Sequence, residues 1–270
     1  MSQEQALSFS IIIPARYGST RLAGKPLLDI AGQTMIERVY RQASSSNADQ
    51  VIVATDDQRI LATVNNFGGQ VVMTNAEHPT GTDRLQEVAA KRGFDDQHII
   101  VNVQGDEPLI PAEAINQLAE NLQSHSVAGI ATLCEQITDT AEIFDPNAVK
   151  VVRDKNQFAQ YFSRAPIPWL RGWPAPHTLD IQSAELSALI ASSKTQWYRH
   201  IGMYAYRVSV LNQYVSWAVC EQERVESLEQ LRALDNGVKI HCAETYSQIP
   251  GGVDTEQDLA RVRAQFESNT

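Results

Sequence analysis

The stretch F-S-I-I-I-P-A-R-Y-G-S-T-R-L-A-G-K-P-L, Phe9–Leu27, joins an apolar segment to a loop rich in glycine and basic residues. Its three consecutive isoleucines are β-branched, so Phe9–Pro14 predicts a strand buried on both faces, as in a parallel sheet. Ligands bind such sheets beyond the carboxyl ends of the strands. We therefore expect the loop that follows, Ala15–Pro26, to lie at a binding edge.

This loop concentrates positive charge in a chain that is otherwise acidic. Its glycines let backbone N–H groups turn toward an anion, and its cations neutralise one. The side chains suited to that task are Arg16, Ser19, Thr20, Arg21 and Lys25. The loop is neither a dinucleotide-binding G-x-G-x-x-G nor a Walker A loop, because five residues separate Gly18 from Gly24 and a proline follows Lys25. We expect a polyphosphate ligand.

Strands and helices alternate through the first half of the chain. The apolar strands after the first are Gln50–Thr55, Gln70–Thr74 and His98–Gln104. The amphipathic helices between and after them are Thr34–Ser44, Asp57–Asn66, Asp83–Arg92 and Pro111–Gln123. This alternation predicts an α/β fold with a mostly parallel nucleotide-binding sheet and helices on both faces.

The pattern changes near residue 129. Short strand-like segments follow at Gly129–Cys134, Val149–Val152, Phe158–Phe162 and Ile201–Arg207, and they enclose a Pro/Trp-rich stretch, Ala165–Thr178, and a polar, helix-tolerant stretch, Ile181–Thr195. The last part predicts a helix at Glu221–Asp235 with Val225, Leu228, Leu231 and Leu234 on one stripe, a strand at Val238–Ala243 and a helix at Asp254–Phe266. We expect three parts: a nucleotide-binding half at 1–128, an antiparallel insertion at 129–220, and a return to the main α/β domain at 221–270.

The insertion also carries tryptophan residues that are candidates for a subunit contact. Trp169 and Trp173 lie in a stretch that either packs on its own domain or forms a subunit contact. We expect this region to make a homodimer contact.

Composition excludes several classes of protein. Lys and Arg number 22 and Asp and Glu 32, which gives a net charge of −10. Such an acidic chain is unsuited to coating nucleic acid or an anionic membrane, since both bind basic surfaces. The first residues are polar, and no apolar run approaches the roughly 20 residues of a membrane helix. Three scattered cysteines form no metal or disulfide motif. We expect a soluble, cytoplasmic protein without nucleic-acid or membrane partners.

Two carboxylates are candidates for binding a metal ion. Asp106 directly follows the fourth predicted strand, in Q-G-D-E-P. Mg²⁺ prefers one or two carboxylates with phosphate oxygens and water, so Asp106 beside a polyphosphate is predicted to be a magnesium ligand. The alternative is that the segment is a plain turn without a metal-binding role. Glu107 is expected to orient the loop rather than to bind metal. Asp254, with Gln257 three residues on, fits a helix N-cap; one of its oxygens can cap while the other faces a metal.

Several segments together identify a family. In chain order they are P-A-R-Y-x-S-T-R-L-x-G-K-P-L, A-T-D-D, H-P-T-G-T-D-R, V-N-V-Q-G-D-E-P-L-I-P, N-A-V-K-V-V, Y-F-S-R-x-P-I-P-W, H-I-G-M-Y-A-Y-R, L-E-Q-L-R and G-V-D-T-E-Q-D-L. From Phe9 to about Arg263 the chain resembles the 3-deoxy-manno-octulosonate (Kdo) cytidylyltransferase family. The S-R-x-P-I-P-W and H-I-G segments favour Kdo over sialic acid.

The resemblance implies a reaction, CTP + Kdo → CMP-Kdo + pyrophosphate, with magnesium, on a homodimer, in lipopolysaccharide biosynthesis. It implies that the insertion at 129–220 binds sugar and dimerises. The implied nucleotide-binding residues are Arg16, Ser19, Thr20, Arg21, Lys25, Gly81, Thr82 and Arg84, and those of the Kdo pocket are Gln104, Arg164, His200, Tyr204, Glu229 and Gln230. Asp106 and Asp254 are the implied magnesium ligands and, with Arg16 and Lys25, the catalytic residues.

The sequence departs from the family pattern at two places and leaves alternatives open. Ala23 stands where the family usually has proline, and the G-G-V-D approach to Asp254 is shorter than usual. A cytidylyltransferase for another acidic sugar, a glycosyltransferase with a nucleotide-sugar donor, and an inactive sugar- or nucleotide-binding protein are the alternatives. A glycosyltransferase normally carries a D-x-D-like pair, whereas Gly-Asp-Glu supplies one expected ligand here.

Overall fold

The computed structural model describes residues 7–18, 22–173, 180 and 183–268. The elements of the first half are β1 (Phe9–Ala15), a 3-10 turn (Lys25–Leu27), β2 (Asp29–Ile30), β3 (Gln33–Thr34), α1 (Met35–Ala43), β4 (Gln50–Thr55), α2 (Gln58–Asn66), β5 (Gln70–Met73), α3 (Gly81–Arg92), β6 (Ile99–Asn102) and α4 (Ala112–Ser124). Those of the second half are β7 (Ile130–Gln136), α5 (Thr140–Phe144), β8 (Lys150–Arg153), β9 (Ala159–Ser163), α6 (Ala184–Ser193), β10 (Tyr198–Arg207), α7 (Val208–Tyr214), α8 (Glu221–Glu226), α9 (Gln230–Asp235), β11 (Ile240–Glu244) and α10 (Glu256–Glu267).

The chain divides into two compact units. The first comprises the described parts of 1–130, 203–216 and 246–270, and the second comprises those of 131–202 and 217–245. This division differs from the expected three parts, because 217–245 belongs with the insertion rather than with the nucleotide-binding half. The contacts of Glu226 explain the difference: its carboxylate accepts hydrogen bonds from the Ser163 hydroxyl at 2.6 Å and from the Arg164 backbone at 2.9 Å.

The first unit is built on a parallel sheet in the order β6-β1-β4-β5. Ile11, Ile12 and Ile13 of β1 are fully buried, since β1 is central and apolar surface removed from water stabilises the fold. Residues 204–207 of β10 add an antiparallel strand beside β6. Helices α1, α2, α3 and α4 pack on these strands. The predicted α/β class, with a mostly parallel sheet and an antiparallel region, is confirmed.

The second unit is antiparallel where its pairing is defined. Strand β8 pairs with β9 and, through Lys150 and Arg199, with the first part of β10. A separate apolar cluster lies beside these strands and is formed by Ile137, Ile143, Trp173, Leu186 and Trp197. The rings of Trp173 and Trp197 stack with centroids 5.4 Å apart. Trp173 is 6% exposed and packs within its own unit, whereas Trp169 is 46% exposed, so the homodimer contact expected of this region stays a prediction.

The predicted helix at Glu221–Asp235 is two helices. Ser227 ends α8 in the left-handed conformation, with φ of 52°, and α9 begins again at Gln230. The break separates the members of the expected stripe, so Leu231 is buried whereas Val225 is 70% exposed. Periodicity missed the break because the apolar spacing continues through it.

Two further observations concern the classes excluded above. None of the helices in the described ranges has both the length and the apolar character needed to cross a bilayer. Cys134, Cys220 and Cys242 are free thiols in this structure.

Candidate active site

The loops after β1 and β6 meet closely at the carboxyl edge of the sheet. A Cβ atom at Gly105 would lie 2.9 Å from the Pro14 carbonyl oxygen, closer than real Cβ contacts. Any other residue would push the two loops apart, so glycine at this position lets Asp106 approach the basic loop. The same edge opens into a cavity of about 320 Å³ lined by Pro14, Ala15, Arg16, Gly18, Lys25, Pro26, Gln104, Gly105, Asp106 and Asp254.

Lys25 lies at the centre of this site. Its ammonium donates hydrogen bonds to Asp106 Oδ2 at 2.6 Å, to Asp254 Oδ1 at 2.9 Å and to the Val253 carbonyl at 2.9 Å. Burial lowers the pKa of Lys25, but the hydrogen bonds and charges of Asp106 and Asp254 outweigh burial and raise it. The ammonium therefore stays charged at neutral pH. The structure thus brings together three of the four residues predicted to be catalytic.

Backbone contacts bring Asp254 to Asp106 from far along the chain. The Val253 N–H donates to the Asp106 carbonyl at 2.9 Å, and a Cβ atom at Gly252 would lie 3.2 Å from that same oxygen. Glycine at 252 thus permits the close approach. The short G-G-V-D segment consequently places Asp254 beside Asp106.

The expected N-cap role of Asp254 is wrong. Helix α10 is capped by Thr255, whose hydroxyl accepts from the Asp258 N–H while the Asp258 carboxylate accepts from the Thr255 N–H. This reciprocal pair is a capping box. Because the neighbouring residue caps the helix, the Asp254 carboxylate is left to bind the Lys25 ammonium.

The two carboxylates fit a hard divalent cation. Asp106, Asp254 and the Val253 carbonyl all contribute oxygen to one cationic group, the Lys25 ammonium. Oxygen ligands with one or two carboxylates are what Mg²⁺ takes when substrate phosphates supply the rest. Within the described ranges no group of three or more His, Cys, Asp or Glu side chains is arranged around a metal position, so a protein-only cage is not formed there.

Glu107 does not join these ligands. Burial, then the charge of Asp106, raise the pKa of Glu107 to about 8. Its Oε2 atom is shielded from solvent and has no hydrogen-bond partner among the described residues. The Glu107 backbone N–H closes the turn by donating to the Gln104 carbonyl at 3.3 Å. An orienting role for the Glu107 side chain stays a prediction.

The remaining basic-loop residues are only partly described. Arg16 is exposed, and its Nη2 donates to the His78 carbonyl at 3.1 Å. Ser19, Thr20 and Arg21 lie outside the described residues. Gln104, which the resemblance implies for the sugar, lines the same cavity as Arg16 and Lys25.

Arg84 has a different position from that expected of a nucleotide ligand. It is fully buried; its Nη1 donates to the Thr74 hydroxyl at 2.7 Å and its Nη2 to Asp56 Oδ2 at 2.6 Å. It thereby ties together the ends of β4 and β5, where those two partners lie. Sequence reasoning missed this pairing of Arg84 with Asp56. Gly81 and the buried Thr82 open the same helix, α3, which Thr80 caps.

Arg164 is held by groups of the second unit. Its Nε donates to the Glu226 carbonyl at 2.7 Å, and its Nη1 donates to the Pro146 carbonyl at 2.9 Å. The Glu226 carboxylate also accepts from the Arg164 backbone. Glu226 therefore fixes both the backbone and the guanidinium of Arg164. Sequence reasoning missed Glu226, because a glutamate on a polar helix carries no signal of its own.

The other residues implied for the sugar occupy varied environments. His200 hydrogen-bonds through Nε2 to the Thr132 hydroxyl at 2.9 Å, and its ring lies edge-on to Phe162. Burial lowers the pKa of His200 to about 3, so the imidazole is neutral at physiological pH.

The three remaining residues implied for the sugar differ in position and burial. Tyr204 lies on β10 in register with Asn102 of β6, in the first unit. Gln230 is 7% exposed, and its amide nitrogen has no hydrogen-bond partner among the described residues. Glu229, at the N-terminal boundary of α9, is exposed.

Comparison with known proteins gives concordant results. The profile of a family described as cytidylyltransferase matches residues 10–240. The 3-deoxy-manno-octulosonate cytidylyltransferase of Saccharophagus degradans is 53% identical over 97% of this chain and 100% of its own length. The same-named protein of Hahella chejuensis is 55% identical over 95% of this chain and 97% of its own. A solved structure of CMP:2-keto-3-deoxy-manno-octonic acid synthetase complexed with CTP matches with a TM-score of 0.85 at 40% identity, covering 98% of this chain and 100% of that one.

Proposed function

This chain belongs to the cytidylyltransferase family, and from that premise we propose that it is the enzyme that activates Kdo with CTP. The observation that carries the proposal is the Lys25, Asp106 and Asp254 constellation at the carboxyl edge of a parallel sheet. The full-length relatives and the CTP-bound structural neighbour support CTP and Kdo as the substrates.

The proposed reaction displaces pyrophosphate from CTP. The anomeric hydroxyl of Kdo gives up its proton to solvent as its oxygen bonds to the α-phosphorus of CTP, and the bond from that phosphorus to the β-phosphate bridging oxygen breaks. In phosphoryl-type transfers the protein contributes chiefly positioning and charge stabilisation. Arg16 and Lys25 line one cavity and would stabilise the negative charge that grows on the leaving pyrophosphate.

Asp106 and Asp254 would hold magnesium in the working enzyme. When bound there, the ion supplies positive charge to the phosphate oxygens and lowers the pKa of a coordinated hydroxyl. Support comes from the all-oxygen donor set and from the existing preference of these carboxylates for a cation. A single carboxylate at Gly-Asp-Glu, with its second partner from residue 254, does not form the D-x-D pair of a glycosyltransferase.

The planar guanidinium of Arg164 suits the Kdo carboxylate, since an arginine fork binds a carboxylate through two parallel hydrogen bonds. Its Nη2 makes no hydrogen bond to any described residue, whereas Nε and Nη1 are engaged by backbone carbonyls. The orphan amide nitrogen of Gln230 is a second donor suited to a sugar oxygen.

A pyrophosphate-release assay tests the proposal. Release should require CTP, Kdo and Mg²⁺ together, and mass spectrometry should find CMP-Kdo as the product. N-acetylneuraminate in place of Kdo should give little release. Equal rates with N-acetylneuraminate would identify a cytidylyltransferase for another acidic sugar, and binding of CTP without turnover would identify an inactive binding protein.

Homodimerisation, a role in lipopolysaccharide biosynthesis and a cytoplasmic location are further parts of the proposal. Exposed aromatic surface supports the dimer: the Trp169 side chain is 46% exposed and the Tyr161 side chain is 37% exposed. Light scattering should give twice the chain mass at micromolar concentration. A monomer at that concentration would contradict the dimer.

A further inference from the structure

The Lys25 ammonium binds the same carboxylate oxygens that the proposed metal ion would bind. It touches Asp106 and Asp254 together, at 2.6 and 2.9 Å, and adds the Val253 carbonyl as a third oxygen. One ammonium and one divalent cation cannot both occupy the space between the two carboxylates at these distances. The residue expected to neutralise phosphate therefore binds carboxylates in this structure.

Burial of the two carboxylates does not keep a metal ion away from Asp106 and Asp254. The side chains of Asp106 and Asp254 are 32% and 46% exposed, so solvent reaches both carboxylates, whereas Lys25 is 14% exposed. The ammonium opposes a second cation through its charge. With Lys25 in place, the three groups carry a net charge of about −1, and without it the two carboxylates carry about −2. The difference weakens attraction for a divalent cation.

We propose that Lys25 is a built-in competitor of the metal ion: in the nucleotide-free enzyme its ammonium occupies the metal position, and the CTP phosphates draw it away. This inference rests on the proposed function, since it takes Asp106 and Asp254 as the metal ligands. It adds a second role for Lys25, in which one side chain couples the two binding events. Binding of nucleotide and of metal then favour each other, because each relieves the cost of displacing the ammonium.

Manganese binding to the nucleotide-free protein tests the inference without catalysis. Titration of Mn²⁺, with free ion measured by electron paramagnetic resonance, should give weak binding to the wild type and binding at least about tenfold tighter to Lys25→Met, since one unit of opposing charge is removed within a few ångströms. Lys91→Met is the matched control, because Lys91 is an exposed surface lysine paired with Glu87. Its Mn²⁺ affinity should equal that of the wild type. Affinities of Lys25→Met and wild type within twofold of each other would overturn the inference.

A second measurement uses the unaltered enzyme, so that a folding defect in Lys25→Met leaves the inference testable. Brief acetylation with acetic anhydride, followed by peptide mass spectrometry, reports how accessible each lysine amine is. Saturating Mg²⁺ without nucleotide should increase labelling of Lys25 severalfold while labelling of Lys91 stays constant. Unchanged Lys25 labelling at a Mg²⁺ concentration that occupies the site would overturn the inference.

Failure of the inference and failure of the proposed function give different results. If the wild type releases pyrophosphate from CTP and Kdo but neither experiment shows competition, only the competitor role of Lys25 is wrong. If the wild type is inactive under all substrate and metal conditions, the proposed function is wrong and the inference is overturned with it.

Discussion

Replacement of Arg84 by methionine separates a structural from a nucleotide-binding role for this residue. Arg84 is fully buried and bonds Asp56 and Thr74 at 2.6 and 2.7 Å. The change leaves the Asp56 carboxylate, 18% exposed, without its cation. Loss of one partner of a buried ion pair costs about 3–5 kcal/mol. We expect the low end, about 3 kcal/mol, because the Arg84 Nε already lacks a partner among the described residues and its removal costs nothing.

The loss of stability in Arg84→Met should be measured by thermal unfolding. In a chain of this size about 3 kcal/mol corresponds to a fall of roughly 6–12 °C in the thermal midpoint, followed by circular dichroism. A second substitution, Asp56→Asn, in the Arg84→Met background should cost less than it does in the wild type, because the carboxylate it removes is already unpaired. The affinity for CTP, measured well below the midpoint, should change less than twofold. A variant that unfolds like the wild type but loses CTP affinity tenfold would show that Arg84 contacts nucleotide.

Four further outcomes are expected. Lys25→Met should lower turnover about a hundredfold to a thousandfold with a smaller rise in the Michaelis constant for CTP, measured by pyrophosphate release, because the charge on pyrophosphate grows in the transition state. Asp106→Asn should keep the fold, judged by circular dichroism, and lose most activity at saturating Mg²⁺. Arg164→Lys should weaken Kdo binding in calorimetry and leave the CTP dissociation constant nearly unchanged. The folded pKa of His200, about 3, lies below its ordinary value of 6.5, so the unfolding free energy should fall as pH drops from about 6.5 toward 3; His200→Gln should show a smaller fall in urea titrations.

Contradicting results are equally specific. Normal turnover of Lys25→Met at saturating CTP would mean that the lysine only anchors the substrate. Activity of Asp106→Asn within twofold of wild type would refute a metal-binding role. Equal losses of CTP and Kdo affinity in Arg164→Lys would show that Arg164 does not act specifically on Kdo. An identical pH dependence of unfolding in wild type and His200→Gln would show that His200 titrates normally in the fold.

The parallel sheet was predictable because its strands are encoded locally. Each is a short run of β-branched or apolar residues, and Gln50–Thr55 is both the predicted and the observed strand. The position of Asp106 followed from the same logic, since a residue directly after a parallel strand lies at the binding edge. The break at Ser227 was not predictable, because nothing in its local spacing forces a left-handed residue there.

The capping of α10 and the contacts of Arg84 show where spacing alone is insufficient. Asp254 and Thr255 are adjacent and both suit an N-cap, and the choice between them depends on Asp258 and on the Lys25 ammonium from a distant loop. A lone arginine in T-G-T-D-R carries no sign that it is buried. Both outcomes depend on long-range contacts, which local sequence patterns do not contain.

The hydrogen bond from Val253 to Asp106 has a consequence for biosynthesis of the enzyme. A ribosome delivers the loop at Ala15–Pro26 first and Asp106 next, and the segment that brings Asp254 emerges much later. Until then Lys25 has one carboxylate partner rather than two. Nascent chains therefore cannot assemble the complete site, and premature release products should retain the sheet's first strands without the means to turn over CTP.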